Sequence, residues 1–496
     1  MSPTEAYNEL LNISRRLTVF SSFGALLGWD QRTYMPKYAG KYRAMQFAVL
    51  REYTYEVLTS EKFGEMLEIA EKGEFGLRER MNIYWWKRAH ERLRKIPKEL
   101  AIEEARVSNE SENVWVEAKK TGDFELIKPY IKRIVEIKRE IADALGYEGE
   151  RYNALLDSYE PDLKAEEVER VFSHLKEETL KLLDRVLSSG KASKENLLRG
   201  NFPKDKQEEF CNYLLRSIGY DFGRGRLDET IHPFATLITP NDVRITTKYE
   251  EEFISPSIFG TLHEMGHGLY DMNLPEDMWG EPVGRAVSLS VHESQSRFWE
   301  NIIGRSEAFW RRFYPDLQRH FEHFSNIDLE DFLFAINEVK PSTIRIEADE
   351  LTYNLHIILR FEIERDVING KFDVEELPEL WNEKFKNLFG FYPKNHSEGV
   401  LQDIHWYGGS FGYFPTYTLG NIISAQIFAK MKEELSVYEL VERGEFEPII
   451  LWLKNKIHSK GSLYKTKDLI KEVTGEEIKP EYLVDYLRGK VERFYG

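Results

Sequence analysis

The chain of 496 residues contains a single cysteine, Cys211. One thiol rules out an intrachain disulfide and any zinc site built on paired cysteines. No apolar run approaches the ~20 residues that cross a bilayer as a helix. The amino terminus, Met1-Ser2-Pro3-Thr4-Glu5, lacks the basic and apolar regions of a secretory leader. A soluble, cytoplasmic protein with no membrane partner is therefore expected. Positive charge is also scarce, with 68 Lys and Arg against 85 Asp and Glu, for a net charge of −17. No basic cluster rivals that acidic field, which argues against a nucleic-acid partner. The run Arg92 to Lys98 reads as a solvated helix end. Internal repeats, low-complexity tracts and Gly/Ser linkers are missing as well, so a single domain over residues 1–496 is expected.

Charged residues make up 31% of the chain. With cysteine almost absent, that balance resembles the surface ion-pair networks of heat-stable proteins. Most of the chain has the spacing of amphipathic helix. Between Leu163 and Ser188, Val168, Val171, Phe172, Leu175, Leu180, Leu183 and Val186 recur at helical intervals among charges. Similar patterns run from Ala6 to Leu27, Gly40 to Leu58, Phe124 to Leu145, Leu329 to Val339, Glu350 to Ile368 and Leu435 to Glu442. Strand signals are few. Val243 to Thr247 alternates β-branched residues after a Pro240-Asn241 turn, and Pro233 to Thr239 is a second short run. The expected architecture is one mostly helical body with a small β-sheet.

That sheet would lie close to the most informative stretch, His263-Glu264-Met265-Gly266-His267. On a helix, this spacing sets both imidazoles on one face, a turn apart, where they can share one Zn²⁺. Glu264, beside the first histidine, is placed to take a proton from a water that the ion activates. Two histidines leave such an ion short of a third protein ligand. The segment Ser288 to Ile303 reads as a helix and offers Glu293 and Glu300. Seven residues apart, they nearly share a face, so periodicity does not choose between them. Glu293 sits in the polar strip His292-Glu293-Ser294-Gln295, flanked by Val287, Leu289, Val291 and Phe298, and a polar strip on an apolar helix favours it. His292 reads as a residue that supports a ligand, since a fourth ligand would close the site.

These parts suit hydrolysis of an amide bond. Glu264 would deliver the proton to the leaving nitrogen, and the oxyanion would need a second donor. The aromatic and glycine-rich stretch from His405 to Tyr417, inside an irregular region from Gly390 to Gly420, could supply a His or Tyr. A cut at the carboxyl end needs a group that reads a free α-carboxylate, and the Arg fork suits it. Arg345, in Ile344-Arg345-Ile346-Glu347-Ala348-Asp349, is one candidate, although an ion pair with Asp349 is an equal reading.

Six ordered motifs resemble those of the thermostable carboxypeptidases of metallopeptidase family M32. They are His232-Pro233-Phe234, Asp242 to Thr246 (DxRxT), His263 to His267, His292 to Gln295, Ile344 to Asp349 (IRxxAD) and Gly399 to Trp406 (GxxQDxHW). Leu27 to Asp30 and Leu155 to Pro161 also look familial. The resemblance implies a neurolysin-like helical metallopeptidase fold with two lobes around a deep groove. It implies His263, His267 and Glu293 as metal ligands and Glu264 as general base and acid. Arg345 would read the substrate carboxylate, with His405 and Tyr417 as further substrate contacts, Tyr407 and Tyr413 lying close by. The family implies one Zn²⁺ per subunit, with Co²⁺ able to serve. Release of C-terminal residues one at a time from peptides with a free carboxylate, and a homodimer, are implied too. HPF and DxRxT read as mostly structural, with Arg244 pairing with Asp242 or another carboxylate. Gln402 and Asp403 read either as groups that orient His405 or as caps of their own loop.

Overall fold

Asp123 starts a helix by accepting a hydrogen bond from the Glu125 backbone N–H at 2.9 Å. The helix runs over Phe124–Leu145, and Ile127, Ile131, Ile134 and Ile141 form its buried face. Gly146, at φ 77°, ends it. The other expected helices are observed at Pro3–Thr33, which opens on a Ser2–Glu5 capping box, and at Gly40–Thr59, Ala165–Ser188, Leu329–Ile336, Tyr353–Ile368 and Val437–Arg443. The computed structural model describes the whole chain from Met1 to Gly496 and is mostly helical. No helix is long and apolar enough to cross a membrane.

By contact, the chain divides into two compact units, each assembled from three separate segments. The first comprises Met1–Leu93, Ala192–Ile336 and Ile423–Ile478; the second comprises Arg94–Lys191, Asn337–Ile422 and Lys479–Gly496. The first unit contains the only sheet, made of β1 (Gly225–Glu229), β2 (Ala235–Thr239) and β3 (Asp242–Thr247) in the order β1-β3-β2. β1 pairs parallel to β3, with Leu227 opposite Ile245, and β2 pairs antiparallel, with Leu237 opposite Val243. β2 and β3 lie where the alternating pattern placed them. β1 was not anticipated, because Gly225-Arg226-Leu227-Asp228-Glu229 carries charges at three of its five positions and no β-branched residue.

Val243 and Ile245 are fully buried under the helix Ser255–Met272, which carries the HExxH residues. That helix also packs on Leu289–Arg297, continued by a π-helical turn over Phe298–Ile303. The two helices meet at Gly266. A Cβ there would lie 2.5 Å from the Gln295 carbonyl oxygen and 2.6 Å from Ser296 Cα, closer than atoms can pack. Both obstacles are backbone, so no side chain can rotate away. Gly266→Ala is expected to force the helices apart and to destabilise the protein by about 1–3 kcal/mol. Thermal unfolding combined with a metal-content assay checks this; unchanged stability and metal retention would mean the contact is not tight.

Candidate active site

In the first unit, one ligand atom from each of His263, His267 and Glu293 lies within 4.8 Å of the other two. Glu293 Oε2 is 3.7 Å from His263 Nε2 and 3.4 Å from His267 Nε2. Donors about 2.0–2.2 Å from a tetrahedral zinc sit about 3.3–3.6 Å from one another, so this donor set fits a single such ion. Two imidazoles and one carboxylate are also the ligand chemistry that leaves a fourth position open. Glu293 is buried, and its Oε1 accepts from Arg297 Nε at 2.6 Å. Burial would raise its pKa, but Arg297 and the two histidines outweigh that and hold the carboxyl well below the usual range.

The outer nitrogens of both rings are engaged. His263 Nδ1 donates to Glu300 Oε2 at 2.7 Å, which turns Nε2 toward Glu293. The imidazole of His263 thus spans the two glutamates between which sequence periodicity did not choose. They do share a face; their roughly 10 Å separation along the helix axis gives them opposite ends of one ring. His292 Nε2 donates to Asp271 Oδ1 at 2.9 Å. His267 Nδ1 lies 2.6 Å from His292 Nδ1, and with His267 Nδ1 as the donor its Nε2 keeps a lone pair for an ion. Burial, against the pull of Glu293, lowers His267 to about 4, which keeps it neutral. His292 thus links His267 to Asp271 and fixes the orientation of the His267 ring. Glu264, 6% exposed, is pushed up to about 7, first by burial and then by Glu293 and Glu300 against the opposing pull of His263.

In the second unit, the structure brings Arg345, His405 and Tyr417 together. Arg345 is 6% exposed and lies on a short 3₁₀ turn, Arg345–Glu347. Its Nε and Nη2 donate to Asp403, at 3.0 and 2.8 Å, and Nη1 donates to Tyr353 Oη at 3.0 Å. Arg360 Nε donates to the same carboxylate at 2.8 Å, so two buried guanidiniums share Asp403. Arg345 lies near the Tyr417 and Phe414 rings, 5.3 and 5.5 Å from their centroids, and His405 Nε2 is 3.4 Å from Tyr417 Oη. Burial, then Arg345, lowers His405 to about 4, so its imidazole is neutral. Tyr413 packs against His405 and Tyr417, whereas the fully buried Tyr407 points its hydroxyl at the Val400 carbonyl.

Three expectations change with this geometry. The ion-pair partner of Arg345 is Asp403; Asp349 instead accepts from Leu351 N, Thr352 N and Lys340 N, a turn-capping role. The hydrogen bonds of Gln402 and Asp403 go elsewhere than to His405: Gln402 Oε1 accepts from Arg345 N at 2.9 Å and its Nε2 donates to the Thr343 and Glu398 carbonyls, while Asp403 accepts from Arg345 and Arg360. Tyr417 belongs to the first turn of the helix Pro415–Glu434 and not to the loop before it. Pro415 supplies the missing start signal, hidden among aromatics in the sequence. The pairing expected within the DxRxT motif is present: Arg244 donates twice to Asp242 at 2.8 Å and stacks over Trp29.

A helical scaffold presenting two imidazoles and a carboxylate to one point, with a buried carboxyl next in sequence, defines the metallohydrolase class. The chain belongs to the carboxypeptidase Taq (M32) metallopeptidase family, whose profile matches residues 9–491, and so to the enzymes that hydrolyse peptide bonds. It is 45% identical to thermostable carboxypeptidase 1 of Thermus thermophilus over 100% of both chains. It is 41% identical to carboxypeptidase 1 of Bacillus subtilis, over 98% of each. Its fold matches the apo-Mg structure of Pyrococcus furiosus carboxypeptidase with a TM-score of 0.96, 38% identity and coverage of 98% and 99%.

Two outcomes follow from the buried hydrogen bonds. Asp271→Asn is expected to weaken metal affinity by roughly 10–100-fold through loss of the His292–His267 orientation; chelator competition measures it, and an unchanged affinity would mean that Asp271 does not orient the ligand. In the second unit, burial would raise Asp403, but Arg345 and Arg360 outweigh it and hold the carboxyl far below the ordinary ~3.9. A depressed folded pKa stabilises the fold above the unfolded value and loses that contribution as pH falls. Stability is therefore expected to decline progressively below about pH 5, and Asp403→Asn should be much less stable at neutral pH with a flatter acid limb. An acid limb as steep as the wild type's would assign it to other carboxyls.

Proposed function

We propose that the protein is a zinc-dependent metallocarboxypeptidase that removes C-terminal residues one at a time, with broad specificity, from peptides bearing a free carboxylate. The observation that carries the reading is the convergence of His263, His267 and Glu293 donors beside the buried Glu264, in a chain of this family. Zinc held by those three residues, or cobalt in its place, supplies Lewis acidity for the scissile carbonyl and makes water a stronger acid. Glu264 accepts the proton of the attacking water and returns it to the leaving nitrogen. Its burial beside the donor set keeps bulk water from competing for that proton.

The second unit supplies the reader of the carboxyl end. Of the five N–H donors of Arg345, three are used by Asp403 and Tyr353, which leaves one on each Nη for a substrate carboxylate. Two guanidiniums share a single carboxylate at Asp403, so the cluster favours a further anion. His405, neutral and beside Tyr417, offers a hydrogen bond to the substrate main chain or carbonyl. The chain works as a single carboxypeptidase domain, in a cytoplasmic enzyme that is a homodimer.

The test is a mass-spectrometric time course on one peptide, with a free or an amidated carboxyl end, using metal-stripped enzyme with and without Zn²⁺ or Co²⁺. A metal-dependent ladder of single-residue losses from the free acid alone is expected. Internal fragments from both peptides would make the enzyme an endopeptidase and return Arg345 to a structural part. Glu264→Gln should retain bound metal while kcat falls by roughly 10²–10⁴-fold; a variant that kept its turnover would exclude Glu264 as the proton carrier.

A further inference from the structure

Outside the motifs, the helix Tyr353–Ile368 carries Glu364, which is 0% exposed. A carboxyl so placed needs a strong reason, because burying an unpaired one is costly. Glu364 is not unpaired. Its Oε1 accepts from the Trp406 indole Nε1 at 2.7 Å, and its Oε2 accepts from the Gly412 backbone N–H at 2.9 Å and from Tyr152 Oη at 2.7 Å. Trp406 and Gly412 stand near the two ends of the loop that begins at His405 and leads into the turn carrying Tyr417. Tyr152 lies on the short helix Tyr152–Leu156. Gly412, at φ 89°, lets the loop backbone ride directly on that helix: a Cβ there would be 2.8 Å from Leu155 C and Leu156 N. Trp406 stacks on Phe411 at 6.0 Å, so the indole that Glu364 holds is packed against the loop's own ring. Burial pushes the carboxyl up to about 7 despite its three donors and Arg360. The site thus tolerates a buried acid that apolar packing would make unnecessary.

We propose that Glu364 is a positioning residue for the reader of the substrate's carboxyl end: by clamping both ends of the 406–412 segment to its own helix, Tyr353–Ile368, it fixes where His405 and Tyr417 stand. The inference rests on the carboxypeptidase reading above. Only an ionised carboxylate accepts all three bonds with full occupancy. A glutamine at 364 could turn its oxygen toward Trp406 or toward Gly412, never toward both. Its NH₂ would then face an indole or a backbone N–H, neither of which can accept. The Tyr152 hydroxyl can reverse its role and accept instead. Glu364→Gln therefore breaks a loop-side bond specifically, Trp406→Phe breaks one from the other partner, and Tyr152→Phe removes a bond of similar strength without touching the loop.

Steady-state kinetics on a free-acid peptide, with melting temperatures of the metal-loaded enzymes, separates positioning from plain stability. Glu364→Gln and Trp406→Phe are expected to raise KM about ten-fold with kcat within about two-fold, since the metal ligands and Glu264 are untouched. Tyr152→Phe is expected to lower the melting temperature comparably while KM stays within about two-fold. Equal KM for all three variants and the wild type, with lowered melting temperatures, would overturn the proposal and make Glu364 a stability residue. Should Glu364→Gln fail to fold, Trp406→Phe against Tyr152→Phe decides alone. A wild type that cleaves the amidated peptide as fast as the free acid would instead sink the carboxylate reading itself, an outcome visible before any variant is made.

Discussion

The separation of two helices at Gly266 decides whether the catalytic donors can meet. Two histidines a turn apart on Ser255–Met272 define a direction, and Glu293 must arrive along it from Leu289–Arg297. With backbone against backbone at the contact, the short Glu side chain reaches both Nε2 atoms. The sheet beneath contributes to the same end. Val243 and Ile245 give the HExxH helix a rigid floor, and Tyr220 Oη, donating to the Val243 carbonyl at 2.8 Å, ties that floor to the preceding helix-end segment. Around this core, Arg297, Glu300, His292 and Asp271 engage the far atoms of Glu293, His263 and His267, so that Oε2 and the two Nε2 atoms face one another.

The second unit solves a different problem, how to keep cationic groups buried and still available. Asp403 takes two guanidiniums, and the surrounding rings of Tyr353, Phe414 and Tyr417 accept the charge on their faces. Breaking such a cluster is costly because it strands charge in a low-dielectric interior. The same arrangement orients Arg345 without exhausting its donors. Glu364 and Asp403 divide the labour: one acid holds the loop, the other holds the arginines.

Much of the helical frame was legible in the sequence because apolar spacing and caps act locally. Phe124–Leu145 shows it, with Asp123 and Gly146 at its ends. The pairing of His263 with His267 was legible for the same reason, since HExxH needs only one helix, whereas Glu293 comes from another helix and was favoured over Glu300 only by its polar neighbours and by family resemblance. What was not legible depends on partners distant in sequence. Arg345 and Asp403 are fifty-eight positions apart, so the nearer Asp349 looked equally suitable. Tyr407, Tyr413 and Tyr417 share one composition, and only packing sends the first into the core and sets the last on a helix. Glu364 gave no local signal at all: its neighbours Arg360 and Arg365 make it look like one more surface charge on a helix.

Each compact unit is stitched from three segments, and the chain alternates between them to its end. The last piece, Lys479–Gly496, contains the helix Glu481–Tyr495, which packs on Ala165–Ser188, and Tyr495 Oη accepts from Val339 N at 2.7 Å. A ribosome making this protein completes the first unit only at Ile478 and the second only with the helix that follows it. Contacts between such distant stretches slow folding and lengthen the time for which apolar helix faces stay uncovered. The interleaving also means that no single cut in the chain releases either unit as an intact fragment, so the two halves are made, and lost to proteolysis, together.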